Sequence, residues 1–319
     1  MKTYMYEPIQ IKPKIQPQEK MKTTIRTIWK SLLVVFLGML LVGQAHGQIY
    51  VVNQGSGAVG EYKLDGIPIN TSLITVSIGP NEPTGIALSG NTLYVIGGQS
   101  GTNSTVGTYN ATTGAVINPL LVTQSQLPES VAISGNNLYV VSAGGSGQGT
   151  GFVGVYDATT GAPISVPLLS GLVYPLGVAL SGNHLYLPQE LFGTFGEINV
   201  YNATTGAPLA SPLVSGLLNS PAGLAISGNM LFEANFYGGN IGKYDATTGA
   251  VINASFISGL SNPTQLAVLG NYLFVTNYGN GTIGEYDATT GATINASLIS
   301  GLSQPWGIAV RHRRNKKAF

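Results

Sequence analysis

The sequence contains no cysteine, so it uses no disulfides and no Cys/His zinc site. Charge is nearly as scarce. Asp, Glu, Lys and Arg supply 8% of the 319 residues, where an ordinary soluble domain carries about 25%. Lys and Glu, the common surface residues of helices, are few. The chain instead holds 44 Gly and much Thr, Ser and Asn, a composition of strands and tight turns. There is no phosphate-binding loop, no Gly-x-Ser-x-Gly nucleophile elbow and no amphipathic helical stretch in the body of the chain. "GGSGQG" at Gly144–Gly149 looks superficially like a nucleotide loop, but no helix follows it, and it reads as a hairpin tip. Long apolar runs are missing too. The strongest, Leu32–Val42, is shorter than the roughly 20 residues of a spanning helix.

That run belongs to a leader. Lys22, Arg26 and Lys30 precede it, and Ala45-His46-Gly47 closes it with a small-x-small pattern. Residues 1–47 therefore read as a secretory signal peptide. Met21 would begin a signal peptide of ordinary length, which makes Met1–Lys20 an over-extension of the start. The expected location is secreted, periplasmic or cell surface, with no membrane span in the mature chain. From Gln48 to Val310 there are two basic residues, Lys63 and Lys243, and eleven acidic ones, a net of −9. An acidic body argues against a nucleic-acid partner. The remaining positive charge lies in residues 311–319, read as a solvated basic tail.

What is present is repetition. "YDATTGA" stands at Tyr156, Tyr244 and Tyr286, and "YNATTGA" at Tyr109 and Tyr201; Tyr62 opens a degenerate copy. The spacings are 47, 47, 45, 43 and 42 residues. A period of that length built from short alternating strands and frequent turns indicates a β-propeller blade. In the unit Pro263–Leu302, "QLAVL", "YLFVT", "GTIGEY" and "ATINASLI" read as four strands. Gly270-Asn271 is a two-residue hairpin turn in which both residues tolerate positive φ. "DATTG" is the next hairpin, with Asp287 in an Asx-turn and Gly291 in the left-handed region. First strands begin at Gly85, Ser130, Gly177, Gly223, Gln265 and Gly307. The mature chain starts on a second strand and ends on a first. Strand 306–310 must then complete the N-terminal blade and close a six-bladed ring over residues 48–310. The fold class is all-β, and the mature protein is expected to be a monomer.

The pattern "PxGIAL…GNxLYV…GTIGEYD" resembles the NHL-type repeat. "LFVTNYGNGTI" at Leu273–Ile283 is similar to the YVTN repeat of secreted and surface-layer propellers. The resemblance covers Gln48–Val310 and implies an exported propeller. It does not imply one activity, because such folds host enzymes and binding modules alike.

The "SGN" and "DATTG" turns share one face and hardly vary between blades, so they read as scaffold. The opposite face varies and is the candidate binding surface. Beside its repeated prolines stand Glu82, Glu129, Tyr174, Asn262, Gln304 and Trp306. Asn53, Gly97, Ser142, Gln189, Asn235 and Asn277 close the second strands; Gln54, Glu190, Phe236 and Tyr278 follow, and Glu233 lies just inside its strand. From these, Glu82, Glu129, Tyr174, Gln189, Glu190, Glu233, Asn235, Asn277, Tyr278 and Trp306 form the candidate ligand site. Amides and aromatics together suit a sugar or a peptide. The loops Gly97–Val106 and Ala143–Val153 are Gly/Ser-rich and read as mobile.

Three functions follow. The first is a non-enzymatic exported propeller that binds a protein or glycan on the variable face, with no cofactor. The second is a divalent-metal-dependent lactonase or a lyase, with Glu82, Glu129, Glu233, Asn235 and Asn277 offering oxygens to an ion such as Ca²⁺. The lyase kind needs a histidine base, and the mature chain offers only His184, in a turn on the opposite face, and His312, in the tail. The third is a structural surface or matrix component. The N-x-Ser/Thr matches, such as Asn253-Ala254-Ser255, read as turn composition.

Overall fold

A computed structural model describes residues 47–76, 83–100, 103–124, 127–144, 149–191, 195–217 and 220–312. Nearly all of the stretch read as a leader, Glu82 and parts of both Gly/Ser-rich loops lie outside these. Among the described residues all regular structure is β, apart from a 3-10 turn at Gln54–Ser56. The strands form six four-stranded antiparallel sheets, each a propeller blade. In blade 6 the strands are Pro263–Leu269, Tyr272–Asn277, Thr282–Asp287 and Thr293–Ile299, in that spatial order.

Blade 1 is assembled from both ends of the body. Its inner strand is Pro305–His312, followed by Gly47–Asn53, Ala58–Lys63 and Pro68–Thr75. The closing pair runs antiparallel from Gly47↔His312 through Val51↔Ile308 to Asn53↔Pro305, with a shift near Asn53. The closing strand thus continues to His312, two residues past the stretch read as strand. Arg311 belongs to it: its Nε donates to Gln48 Oε1, its Nη1 donates to Asn91 Oδ1 at 2.9 Å, and its guanidinium lies over the Tyr50 ring. Gln48 in turn donates to Glu61. This polar cluster ties the last strand to blades 1 and 2, and no motif in the sequence announces it.

The repeated turns form as the residues dictate, with one difference. In the Gly-Asn turns only the glycine takes positive φ (Gly90 +57°, Gly270 +61°). The asparagine stays at negative φ, so the hairpin is of the type with Gly at its first central position. In the second turn, Asp287 Oδ1 accepts the N–H groups of Thr289 and Thr290 at 2.9 and 2.7 Å, and Gly291 has φ +77°. The two turns of a blade are joined: Ala288 N–H donates to Asn271 O at 2.7 Å, and Ala111, Ala158, Ala203 and Ala246 do likewise in their blades. Both turns therefore sit on one face.

The seven-residue repeat also does work between blades. The second-strand tyrosine of one blade donates its hydroxyl to the alanine carbonyl in the next blade's turn. Tyr50 reaches Ala111, Tyr94 reaches Ala158, Tyr139 reaches Ala203 and Tyr186 reaches Ala246, at 2.8 to 3.1 Å. In blade 5 the tyrosine is replaced by Phe232, and Lys243 supplies the donor to Ala288 O at 3.0 Å. The turn glycine is pressed against the preceding blade's outer strand: a Cβ on Gly161 would stand 1.8 Å from Leu121 O. Hydrophobic burial follows the same plan. Each of six apolar clusters spans two adjacent blades, the last joining blade 6 to blade 1 through Phe274, Ile283, Ile49 and Ile308. There is no single central core.

A chain ending at Gln304 removes the inner strand of blade 1 and exposes the clusters on both its sides. It is expected to lose its cooperative thermal transition in calorimetry or far-UV circular dichroism. A sharp melt near that of the full chain would mean that the ring does not need this strand.

Candidate functional site

The loops of the variable face are held by hydrogen bonds between the end of each second strand and the loop entering the same blade. Glu190 N–H donates to Val173 O, Phe236 N–H to Ser220 O, Tyr278 N–H to Asn262 O and Gln54 N–H to Gln304 O, at 3.1 to 3.2 Å. The three acceptors Ser220, Asn262 and Gln304, with Tyr174, are the residues immediately before the repeated prolines. All four have positive φ, between 41° and 69°. Left-handed backbone is costly for non-glycine residues, and a following proline disfavours helical backbone further. The strained carbonyls are aimed at the neighbouring loop, so the face is built to a fixed shape.

The amides expected to orient a ligand are mostly committed to that scaffold. Asn53 Oδ1 accepts Ser303 N–H at 2.7 Å, Gln189 Oε1 accepts Val173 N–H at 2.9 Å, and Asn235 Oδ1 accepts Gly238 N–H at 2.9 Å. Asn277 is buried, and its Oδ1 has no partner. Below them Gln265 Nε2 reaches from blade 6 past blade 5 to Leu176 O of blade 4 at 3.5 Å, bridging the mouth of the ring.

Among the described residues the carboxylates do not gather into one cluster. Glu82 is outside the described residues. Glu190 accepts from Ser220 Oγ at 2.9 Å. Glu129 is half-buried on the inner strand of blade 3. Glu233 does not reach the mouth: it is 1% exposed, and its Oε1 has no partner. It sits opposite Gly242, the register at which Val51, Val95, Val140 and Val275 stand in other blades. Burial pushes its carboxyl from the ordinary 4.5 up to about 8, since desolvation penalises the charged form. Among the described residues no three of His, Cys, Asp and Glu stand together as a cation site. His184 is exposed at the start of a strand on the turn face.

The structure does bring aromatics together. Tyr278 and Trp306 meet edge to face with centroids 5.6 Å apart. Phe236 lies 6.0 Å from Tyr278 and 6.3 Å from Trp306. Tyr237 meets Phe236 edge to face at 4.9 Å and is 71% exposed. These rings come from blades 5, 6 and 1, so three successive blades build one platform. Tyr174 stands on the loop into blade 4. Phe236 and Tyr237 follow the second strand of blade 5, and only the register shared with Tyr278 hints at their role.

No family model matches the chain, and no curated protein matches it. Solved structures do. A chain of the nidogen/laminin complex is similar with TM-score 0.66 at 13% identity, covering 83% of this chain and 98% of its own. The computationally designed protein Ika8 is similar with TM-score 0.51 at 19% identity, covering 81% and 74%. At such identities the likeness is one of fold: this chain is a six-bladed β-propeller.

Glu233→Val should remove the buried acid and restore the residue of the sister blades. The folded state holds the Glu233 proton more tightly than the unfolded state. Wild-type stability therefore falls as pH rises from about 4.5 to about 8 and stays lowered above. The variant should be more stable at pH 8, by a few kcal/mol at roughly 1.4 kcal/mol per pK unit, and nearly unchanged at pH 4.5. Melting curves across that range check this; an unaltered pH slope would show that the carboxyl is not buried as described.

Proposed function

We propose that this chain is an exported, non-catalytic β-propeller that binds a protein or glycan partner on its variable face, in the manner expected of an NHL- or YVTN-like module. The observation that carries the reading is the platform of Phe236, Tyr237, Tyr278 and Trp306, on the face where the blades differ from one another. Rings offer large apolar area at low entropic cost, and such residues dominate binding energy at interfaces. The strained pre-proline residues hold the platform in one shape before a ligand arrives, which lowers the cost of binding. The likeness to a chain of the nidogen/laminin complex lends support, since that propeller is seen with a protein partner. Export rests on the basic, apolar and small-residue order of residues 22–47.

The alternative, a divalent-metal-dependent lactonase, asks Glu82 and Glu129 to meet an ion with the amides of the second strands. Of these amides Asn235 is already engaged and Asn277 is buried.

Trp306 is the only tryptophan in the body of the chain, the other being Trp29 in the leader. Its fluorescence therefore reports on the platform. Candidates from a glycan array and a panel of purified extracellular proteins should shift that emission on binding. Tyr278→Ala should weaken the same ligand by at least tenfold. A ligand that binds Tyr278→Ala and Phe236→Ala as tightly as wild type would move the site elsewhere.

Melts in EDTA and with added Ca²⁺, Mg²⁺, Mn²⁺ or Zn²⁺ separate the two readings. An ion at 100 times its Kd would stabilise the fold by about 2.7 kcal/mol. The binding-module reading expects no shift. A shift abolished by Glu129→Ala would favour the metalloenzyme.

A further inference from the structure

Charge is unevenly placed on the variable face. Its carboxylates belong to blades 2, 3 and 4. Glu82 and Glu129 flank repeated prolines there, and Glu190 lies at the end of the second strand of blade 4. The loops of blades 5, 6 and 1 hold no charge. Residues 235–240, 259–263, 277–282, 300–306 and 53–57 contain no Asp, Glu, Lys, Arg or His. They set Asn, Gln, Ser and Gly around the four rings of the platform. These loops are also tied to one another. Gly55 N–H donates to Ser303 O and Gly279 N–H to Ser261 O, both at 3.0 Å. The polar groups of this sector are therefore held in fixed places.

Hydrogen-bonding capacity is left over in the sector. Gln304 is exposed and its backbone carbonyl accepts Gln54 N–H, but among the described residues its side-chain amide is not engaged. Asn280 uses its Oδ1 to accept Thr282 Oγ1 at 2.8 Å, which leaves its N–H groups. Trp306 Nε1–H and Asn277 Oδ1 are shielded from solvent and have no partner in the chain. The loop does not demand this of Asn277. At the same register in blade 5, Asn235 Oδ1 accepts Gly238 N–H.

An unanswered donor, an unanswered acceptor, spare amides and no charge define the complementary chemistry. A carboxylate or phosphate answers the N–H groups alone, and an ammonium the oxygen alone. Each would also bring a charge that nothing in the sector meets. A hydroxyl is neutral and both donates and accepts. The rings add flat apolar area, which suits the C–H face of a pyranose, while amides orient its hydroxyls. A protein surface has apolar groups to offer the same rings. It also brings charged side chains, whose desolvation this sector cannot offset.

We infer that blades 5, 6 and 1 form a subsite for a neutral oligosaccharide, stacked on the exposed Tyr237 ring and hydrogen-bonded by Gln304. This rests on the binding-module reading above and narrows its ligand to one class.

Isothermal titration calorimetry of the full chain tests it with neutral hexose oligomers (short glucan, mannan and galactan fragments), uronic acid oligomers of matched length, and the panel of purified extracellular proteins. A neutral oligomer should bind, and its uronic acid counterpart at least tenfold more weakly. Added NaCl should leave the affinity within about twofold, because there is no ion pair to screen. Tyr237→Ala and Gln304→Gly should each weaken binding at least tenfold with the melting temperature unchanged. Tyr237 is 71% exposed, and glycine is at ease at the positive φ of Gln304, 54°. The inference falls alone, and the binding-module reading stands, if a protein but no neutral oligomer binds and loses affinity in Tyr237→Ala. Both fall if no probe binds in a way that Tyr237→Ala weakens. Equal affinity for the uronic acid oligomers overturns the inference as well.

Discussion

The structure depends on one contact repeated around the ring: a turn of one blade held by its predecessor. The alanine carbonyl of each Asp/Asn-Ala-Thr-Thr-Gly turn accepts a hydrogen bond from the blade before it, and the glycine fits where no side chain could beneath that blade's outer strand. A buried carbonyl left without a donor costs about 1–3 kcal/mol. A Cβ at the glycine would overlap a backbone oxygen in an already strained conformation. Five turns of nearly one sequence are thus one solution to one steric and polar problem. The apolar clusters, each shared by two blades, make the same point in energetic terms. A lone blade has two unburied faces and gains its stability from its neighbours.

The seam between blades 6 and 1 shows what happens when both halves of that contact change. Phe274 has no hydroxyl to give, and blade 1 has the shorter Leu64-Asp65-Gly66 in place of the full turn. The interface becomes apolar, with Leu64 against the cluster that holds Phe274 and Tyr62. The closing strand is held instead by Arg311, which donates to Gln48 of blade 1 and to Asn91 of blade 2. The ring is closed by chemistry different from that which propagates it, as the place where the two chain ends meet requires.

The aromatic platform and the outer strands arise in opposite ways. The aromatic platform comes from departures from the repeat: Phe236, Tyr278 and Trp306 differ from their counterparts in other blades and meet because blades 5, 6 and 1 are consecutive in the ring. The outer strands adhere to the repeat, with an aliphatic residue at one register six times over. One molecule can carry both because the loops and the outer strands lie on different parts of each blade.

The sequence by itself determined the number of blades, the four strands of each, the roles of Asp and Gly in the repeated turn, and the closure by the C-terminal strand. All of these follow from local preferences repeated at a readable period. It also placed Tyr278 and Trp306 on the variable face. Only the tertiary structure decided how those positions are used. Gln189 turned inward to accept Val173 N–H beside the pre-proline Tyr174, and Asn235 to accept Gly238 N–H in the loop that follows its own strand. Glu233 went into a blade interface because strand alternation, fixed by its neighbours, gave it a buried register. Phe236 and Tyr237 joined the platform because ring order puts the ends of blades 5, 6 and 1 side by side. Periodicity says which residue faces which side of its own strand, whereas the meeting of side chains from three blades is set by the curvature of the ring.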